Sequence, residues 1–452
     1  DKGPGQEVCD LLVVFENHVI VFSDKNCAYV NTGNLQKDWN RWYRKAIDAS
    51  VKQIFGAERW IRNYPNRLFL DQACKVPCPI PLPAEPIFHR IIVTHGIAEP
   101  CRKFFNGGTG SLLFDSECIS SEIPFTVGQV GAPRGVVHVL DDSSLNIVLQ
   151  TLDTAPDFIE YLVRKERFLT SGLSIASAGE EEFLGHYLEF QDDTGEHDFL
   201  INVDLGGADR VVFDEGFWHG FSQHKSRRIQ IEANRISYFW DSLIEKITRH
   251  IVEGTEYASS GADLVTQERL LRLLAKENRT KRRFLSDLFL QFVKKVPKGF
   301  RSTRRVLPAI PGDPFYVFFV LPYREGSDYD KYRFIRREFL ASYCAIIKLD
   351  YPQAYDIIGI ATESGLADGR SEDLVYIDTR NWTAKNRKRA QEDKEFLVAK
   401  GFLARQHRFS STLYEYPETP ARLKLQLPDY SKGRERNARC FCGSGRKAKK
   451  CH

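Results

Sequence analysis

Methionine is absent from the 452-residue sequence. Local spacings therefore carry more weight here than distances across long stretches. There is no long apolar run. The longest clean one, residues 315–321, is far below the ~18 residues a membrane span needs. No signal-peptide pattern is visible from Asp1 onward. A GGTG stretch at 107–110 has no Walker lysine after it, so it reads as a turn and not as a nucleotide site. Cysteine is present without the spacing of a disulfide framework. Of ten, seven are scattered and three lie in the last thirteen residues, which indicates a reducing, cytoplasmic setting and one metal site. With 42% apolar and 27% charged residues, the chain is neither a disordered segment nor a collagen nor a disulfide miniprotein. Its length allows two to four domains.

The net charge of +4 hides an uneven distribution. Residues 431–452 carry +7 and residues 265–305 carry +10, which leaves −13 on the other 389. Basic segments on an acidic body point to localised anion-binding surfaces.

The chain ends CFCGSGRKAKKCH, from Cys440 to His452. Cys440, Cys442, Cys451 and His452 supply three thiols and one imidazole, a complete tetrahedral set for structural zinc. Gly443 and Gly445 let the chain turn back between the two halves. All four positions are filled by protein, so no site is left for a catalytic water. A segment this short takes its folding energy from the metal. The pattern resembles the SEC-C motif, CxCGSGxxxKxCH, known from the tail of the bacterial preprotein translocase motor, and every position matches, including Lys449. The resemblance implies zinc and a docking surface for a protein or ribosomal partner, and it does not imply secretion.

Near the start, the runs CDLLVVF (9–15) and HVIVFSDK (18–25) flank Glu16 and Asn17 and read as a β-hairpin buried on both faces. With Glu16-Asn17 as the loop, Asp10 faces Ser23. With Asn17-His18 as the loop, it faces Lys25. Both registers put Asp10 on the face shared by Ser23 and Lys25, and a three-residue loop would set it beside Asp24. A helix over 38–57, ending near Gly56, and a strand over 87–94 follow. This order, a hairpin with Asp and Lys, a helix, then a strand, resembles the PD-(D/E)xK nuclease fold. The resemblance implies that Asp10 binds magnesium and that Lys25 positions or polarises the nucleophile. The second acid of the pattern would stand at position 23, which is Ser23, so Asp24 or Glu7 would have to assist.

Farther along, Asp141, Asp142 and Asp153 are either a metal group or helix-start acids, and Glu180–Glu182 open another helix. Two helices over 265–295 meet at Arg279-Thr280-Lys281-Arg282-Arg283. With Lys294 and Lys295, this basic joint is suited to holding a phosphate backbone, unless these are simply solvated helix faces. Residues 315–425 read as another α/β unit. The expectation is a mixed α/β (α+β) multidomain protein, cytoplasmic and without membrane contact. It would comprise a restriction-endonuclease-like domain (1–130), a middle region with the basic helix pair (131–310), a C-terminal α/β unit (311–428) and a zinc tail (429–452). The expected function is nucleic-acid cleavage with Mg²⁺ at Asp10, Asp24 and Lys25. The alternative is a non-enzymatic adaptor that docks through its Zn²⁺ tail.

Overall fold

The apolar runs on either side of Glu16-Asn17 form β1 (Leu11–Phe15) and β2 (His18–Asn26), paired antiparallel with Phe15 opposite His18. Of the possible registers, this is the one with the two-residue Glu16-Asn17 loop, in which Glu16 takes a left-handed conformation (φ 53°). The computed structural model describes residues 5–192, 195–199, 209–253, 264–364, 371–403, 410 and 412–418, and divides into two units, 1–228 and 229–452. The boundaries expected at 130 and 310 each fall inside one of these units.

In the first unit, α1 (Leu35–Tyr43), a π-helical turn (Arg44–Asp48) and α2 (Ala49–Asn63) carry the chain from β2 to β3 (Ile87–His95), which lies parallel to β2. Gly56 does not stop this helix: buried Ala57, Glu58 and Ile61 keep it packed for two more turns. After α3 (Ala98–Phe105), β4 (Leu113–Asp115) and β5 (Thr126–Val127), β6 (His138–Asp141) joins β3 in parallel and gives the order β1-β2-β3-β6. Both faces of this sheet are covered, which explains why β2 and β3 are apolar at nearly every position. Val19, Val21, Phe88 and Ile92 pack on Trp39, Trp42, Ile47 and Ile54 of the crossover helices. On the other face, Ile20, Phe22, Ile91, Val93 and Leu140 pack on α4 (Asp142–Thr151), α5 (Ala155–Leu169) and α6 (Glu180–Glu189). A second sheet in this unit, β5-β4-β7-β8, adds β7 (Ser174–Ser177) and β8 (Arg210–Phe213), followed by α7 (Phe217–Gln223).

The division falls within α8 (Lys225–Asn234). The second unit continues with α9 (Tyr238–Glu253), α10 (Leu264–Ala275), α11 (Arg279–Lys295), β9 (Ser302–Val306), β10 (Phe315–Val320), α12 (Tyr329–Asp350), β11 (Asp356–Thr362), β12 (Asp373–Asp378) and α13 (Ala384–Ala399). Its sheet has the order β12-β11-β10-β9, with β10 and β11 parallel through α12. Helices α9–α11 cover one face, and α12 and α13 the other. Gly359 lies where β11 presses on α12: a Cβ there would come within 2.7 Å of Cys344 Sγ and Leu340 Cγ. The chain is thus mixed α/β, with three mixed sheets among the described residues.

Candidate active site at the strand tips of the first sheet

The parallel strands β2, β3 and β6 end side by side, with Lys25 opposite Thr94 and Thr94 opposite Asp141. Side chains alternate along each strand, so the tips present two sets of groups on opposite faces. Ser23 and Lys25 follow Val19 and Val21 onto the face covered by α1 and α2. The Ser23 hydroxyl donates to Gln53 Oε1 of α2 at 3.3 Å. Lys25 is half-buried, and no acidic partner for it occurs among the described residues. Asp10 lies just before β1, and its Oδ2 accepts the Asp24 backbone N–H at 2.7 Å. The ladder explains this contact. Residues 18, 20 and 22 of β2 pair with β1, so the next rung would join Asp24 to the main chain of residue 9. Where β1 ends, the Asp10 carboxylate takes that amide instead.

Asp24 follows Ile20 and Phe22 onto the opposite face. No bulge turns it toward Lys25, so it does not supply the acid missing at position 23. Its Oδ1 instead meets Nε2 of His95, the last residue of β3, at 2.8 Å. Both side chains remain open to water, His95 at 35% and Asp24 at 55% exposure. Beyond His95 the chain turns at Gly96 (φ +77°), whose N–H donates to Asp142 Oδ2 at 3.3 Å. The Asp141-Asp142 pair is helix-starting, as one of the two sequence readings held. Asp141 caps α4 through the Ser143 and Ser144 amides and also accepts the Leu112 amide at 2.8 Å. Glu180–Glu182 likewise open α6, but all three are buried. Glu180 pairs with Lys165, and Glu182 accepts the Gly216 and Trp218 amides.

At the other end of the same strands, three histidines and one glutamate form a chain that the sequence did not reveal. His18 Nδ1 meets His89 Nε2 at 2.8 Å, and His89 Nδ1 meets Glu166 Oε1 at 2.8 Å. His138 Nε2 reaches the same oxygen at 3.1 Å. Burial lowers the pKa of His138, and burial together with the charge of His89 lowers that of His18. Burial alone would raise Glu166, but hydrogen bonds from His138 and His89 bring it down to about 2.

The basic segment expected to hold a phosphate backbone is not an exposed joint. Asn278 caps α11, and Arg279 already lies within the helix. Arg279 and Arg282 share the Asp241 carboxylate of α9, at 2.7 and 2.5 Å. Arg283 is held by Asn234 Oδ1 and the Tyr414 and Glu415 carbonyls. Lys281 pairs with Asp313 at 2.6 Å. The three arginines are buried, because an i, i+3, i+4 pattern puts them on one face of α11, where Arg279 and Arg282 meet α9 and Arg283 meets Asn234 of α8. Of the six basic residues expected to hold phosphate, Lys294 and Lys295, at the far end of α11, are the exposed ones. Cys440, Cys442, Cys451 and His452 lie outside the described residues. Among the described residues, no group of three or more His, Cys, Asp or Glu could hold a metal ion.

In comparisons with known proteins, the SEC-C motif model matches residues 436–452. No curated protein and no solved structure matches the chain.

Proposed function

We propose that this chain is a magnesium-assisted phosphodiesterase acting on nucleic acid, with its site at the tips of β2 and β3, carried on a protein whose SEC-C tail holds zinc and docks a partner. The observation that carries this reading is the conjunction at one strand end of the Asp10 carboxylate, the Ser23–Gln53 pair and the ammonium of Lys25, which has no acidic partner among the described residues. The element order supports it: a buried hairpin, a helical crossover and a parallel strand form the arrangement that the PD-(D/E)xK resemblance implies.

The donors fit a magnesium ion of a particular kind. One exposed carboxylate cannot enclose a cation, but magnesium keeps several waters and is commonly held by one or two carboxylates together with substrate phosphate. Asp10 is that carboxylate, with one oxygen taken by the Asp24 amide. A bound magnesium would supply Lewis-acid polarisation of the phosphate and a more acidic water. The chain's own groups do the rest. Lys25 offsets charge that develops on the phosphoryl oxygens, at half-buried depth, where the local dielectric is below that of water. Gln53, held against Ser23, fixes the helix face beside the reacting centre.

A second reading is favoured by two observations: the SEC-C match and the serine at position 23. In it the α/β body is inert and the tail docks a protein or ribosomal partner. Incubating the purified chain with labelled single- and double-stranded DNA and RNA in magnesium separates the two. Cleavage of at least one substrate supports the phosphodiesterase. No cleavage with either magnesium or manganese leaves the adaptor.

A further inference from the structure

We propose that His95 is the general acid of this site, oriented by Asp24, and that it protonates the leaving oxygen of the phosphodiester. The proposal rests on the phosphodiesterase reading and adds to it a residue on the opposite face of the sheet.

Three observations carry it. The first is orientation. Asp24 is acceptor-only when ionised, so His95 Nε2, at 2.8 Å from it, carries a proton that the contact holds. This fixes the ring and leaves Nδ1 as the nitrogen that exchanges protons. The second is placement. Lys25 is in register with Thr94, one residue before His95, on strands about 4.8 Å apart. A phosphate bound across the strand tips therefore meets Asp10 and Lys25 from one face and His95 from the other. In-line displacement at phosphorus needs this opposition, because the attacking and leaving oxygens lie on opposite sides of the phosphorus. The third is support. Gly96 takes the turn directly after His95 and is tied by its amide to Asp142 at the start of α4, while Asp24 is tied by its amide to Asp10. The pair is thus anchored in the main chain of both strands yet remains open to solvent.

In the step, a water oxygen forms a bond to phosphorus as the bond to the leaving oxygen breaks. The proton on His95 Nδ1, in the imidazolium form, passes to that oxygen. The attacking water gives its own proton to solvent, and the neutral imidazole is reprotonated from solvent. Asp24 is a positioning residue and does not touch the substrate.

The test compares two leaving groups: a labelled oligonucleotide, whose alkoxide must be protonated, and bis(p-nitrophenyl) phosphate, whose nitrophenolate needs no proton. His95→Gln is expected to lose about 10²–10⁴-fold in kcat on the oligonucleotide, the range for general acid–base groups, and to remain within a few-fold of wild type on the nitrophenyl diester. Asp24→Asn is expected to show the same selectivity with a smaller loss. Lys25→Ala is expected to lose on both. The ratio between substrates is measured on one preparation, so partial misfolding cancels out. Equal losses by His95→Gln on both substrates, or no loss on either, overturn the role of His95 while an inactive Lys25→Ala keeps the phosphodiesterase reading. Wild type inactive on both substrates overturns both.

Discussion

Replacing Asp241 by Ala tests directly whether the basic α11 segment is scaffold or phosphate grip. Its carboxylate is shared by Arg279 and Arg282, whose side chains are only 9% and 7% exposed, and the Arg279 guanidinium also lies over the Tyr238 ring at 4.7 Å. Both cations stay in place when the anion is removed. Arg282 keeps the Glu277 and Ala275 carbonyls, and Arg279 keeps the Ser237 hydroxyl, but both lose the carboxylate they share. Removing one partner of a buried ion pair costs roughly 3–5 kcal/mol. That is a large share of a stability of about 5–15 kcal/mol. At roughly 2–4 °C per kcal/mol for a unit of this size, the melting temperature should fall by about 6–20 °C. Urea unfolding should show a lower midpoint with an unchanged slope. Lys294→Ala with Lys295→Ala, at the exposed end of the same helix, should stay within about 0.5 kcal/mol. If Asp241→Ala were neutral while Arg282→Ala weakened oligonucleotide binding and flattened its salt dependence, the arginines would be a nucleic-acid surface after all.

The first unit should lose stability as pH falls. Burial lowers the pKa of His138 in the fold, so between that value and the unfolded value of about 6.5 the unfolded chain binds more protons. Below about pH 6.5 this one group therefore removes up to about 1.4 kcal/mol per pH unit. Glu166, held down to about 2, stays ionised through this range. Urea midpoints between about pH 7 and pH 5 measure the effect, and a flat profile would contradict it. The tail should hold one zinc per chain by metal analysis, with the content reduced by Cys442→Ser. A full-length preparation free of zinc would remove the structural-zinc assignment.

The hairpin, the crossover helix and the following strand were legible because β2 and β3 are apolar at almost every position and Glu16-Asn17 breaks the run, but that pattern did not choose among the three loop registers. The end of the crossover helix was not, because a glycine stops a helix only where nothing beyond it packs, and here Ala57, Glu58 and Ile61 do. The arginines of α11 looked like a surface patch because their countercharge, Asp241, lies on another helix and only the packing of α9 on α11 brings it close. Asp24 shows the same limit. Strand alternation placed it on the face away from Lys25, but its partner His95 is 71 residues away and is brought near only by the parallel register of β2 and β3. The His18–His89–Glu166–His138 chain is likewise assembled from separate elements, and no local spacing announces it.

The most direct measurement is cleavage of a labelled oligonucleotide in magnesium by wild type, Asp10→Ala and Lys25→Ala, with thermal unfolding recorded alongside. A phosphodiesterase centred on the strand tips predicts that Lys25→Ala loses about 10²–10³-fold in kcat, as removal of an electrostatic stabiliser does elsewhere, with little change in melting temperature. Asp10→Ala should abolish the dependence on magnesium. Wild-type rates in both variants would place any activity somewhere other than this site.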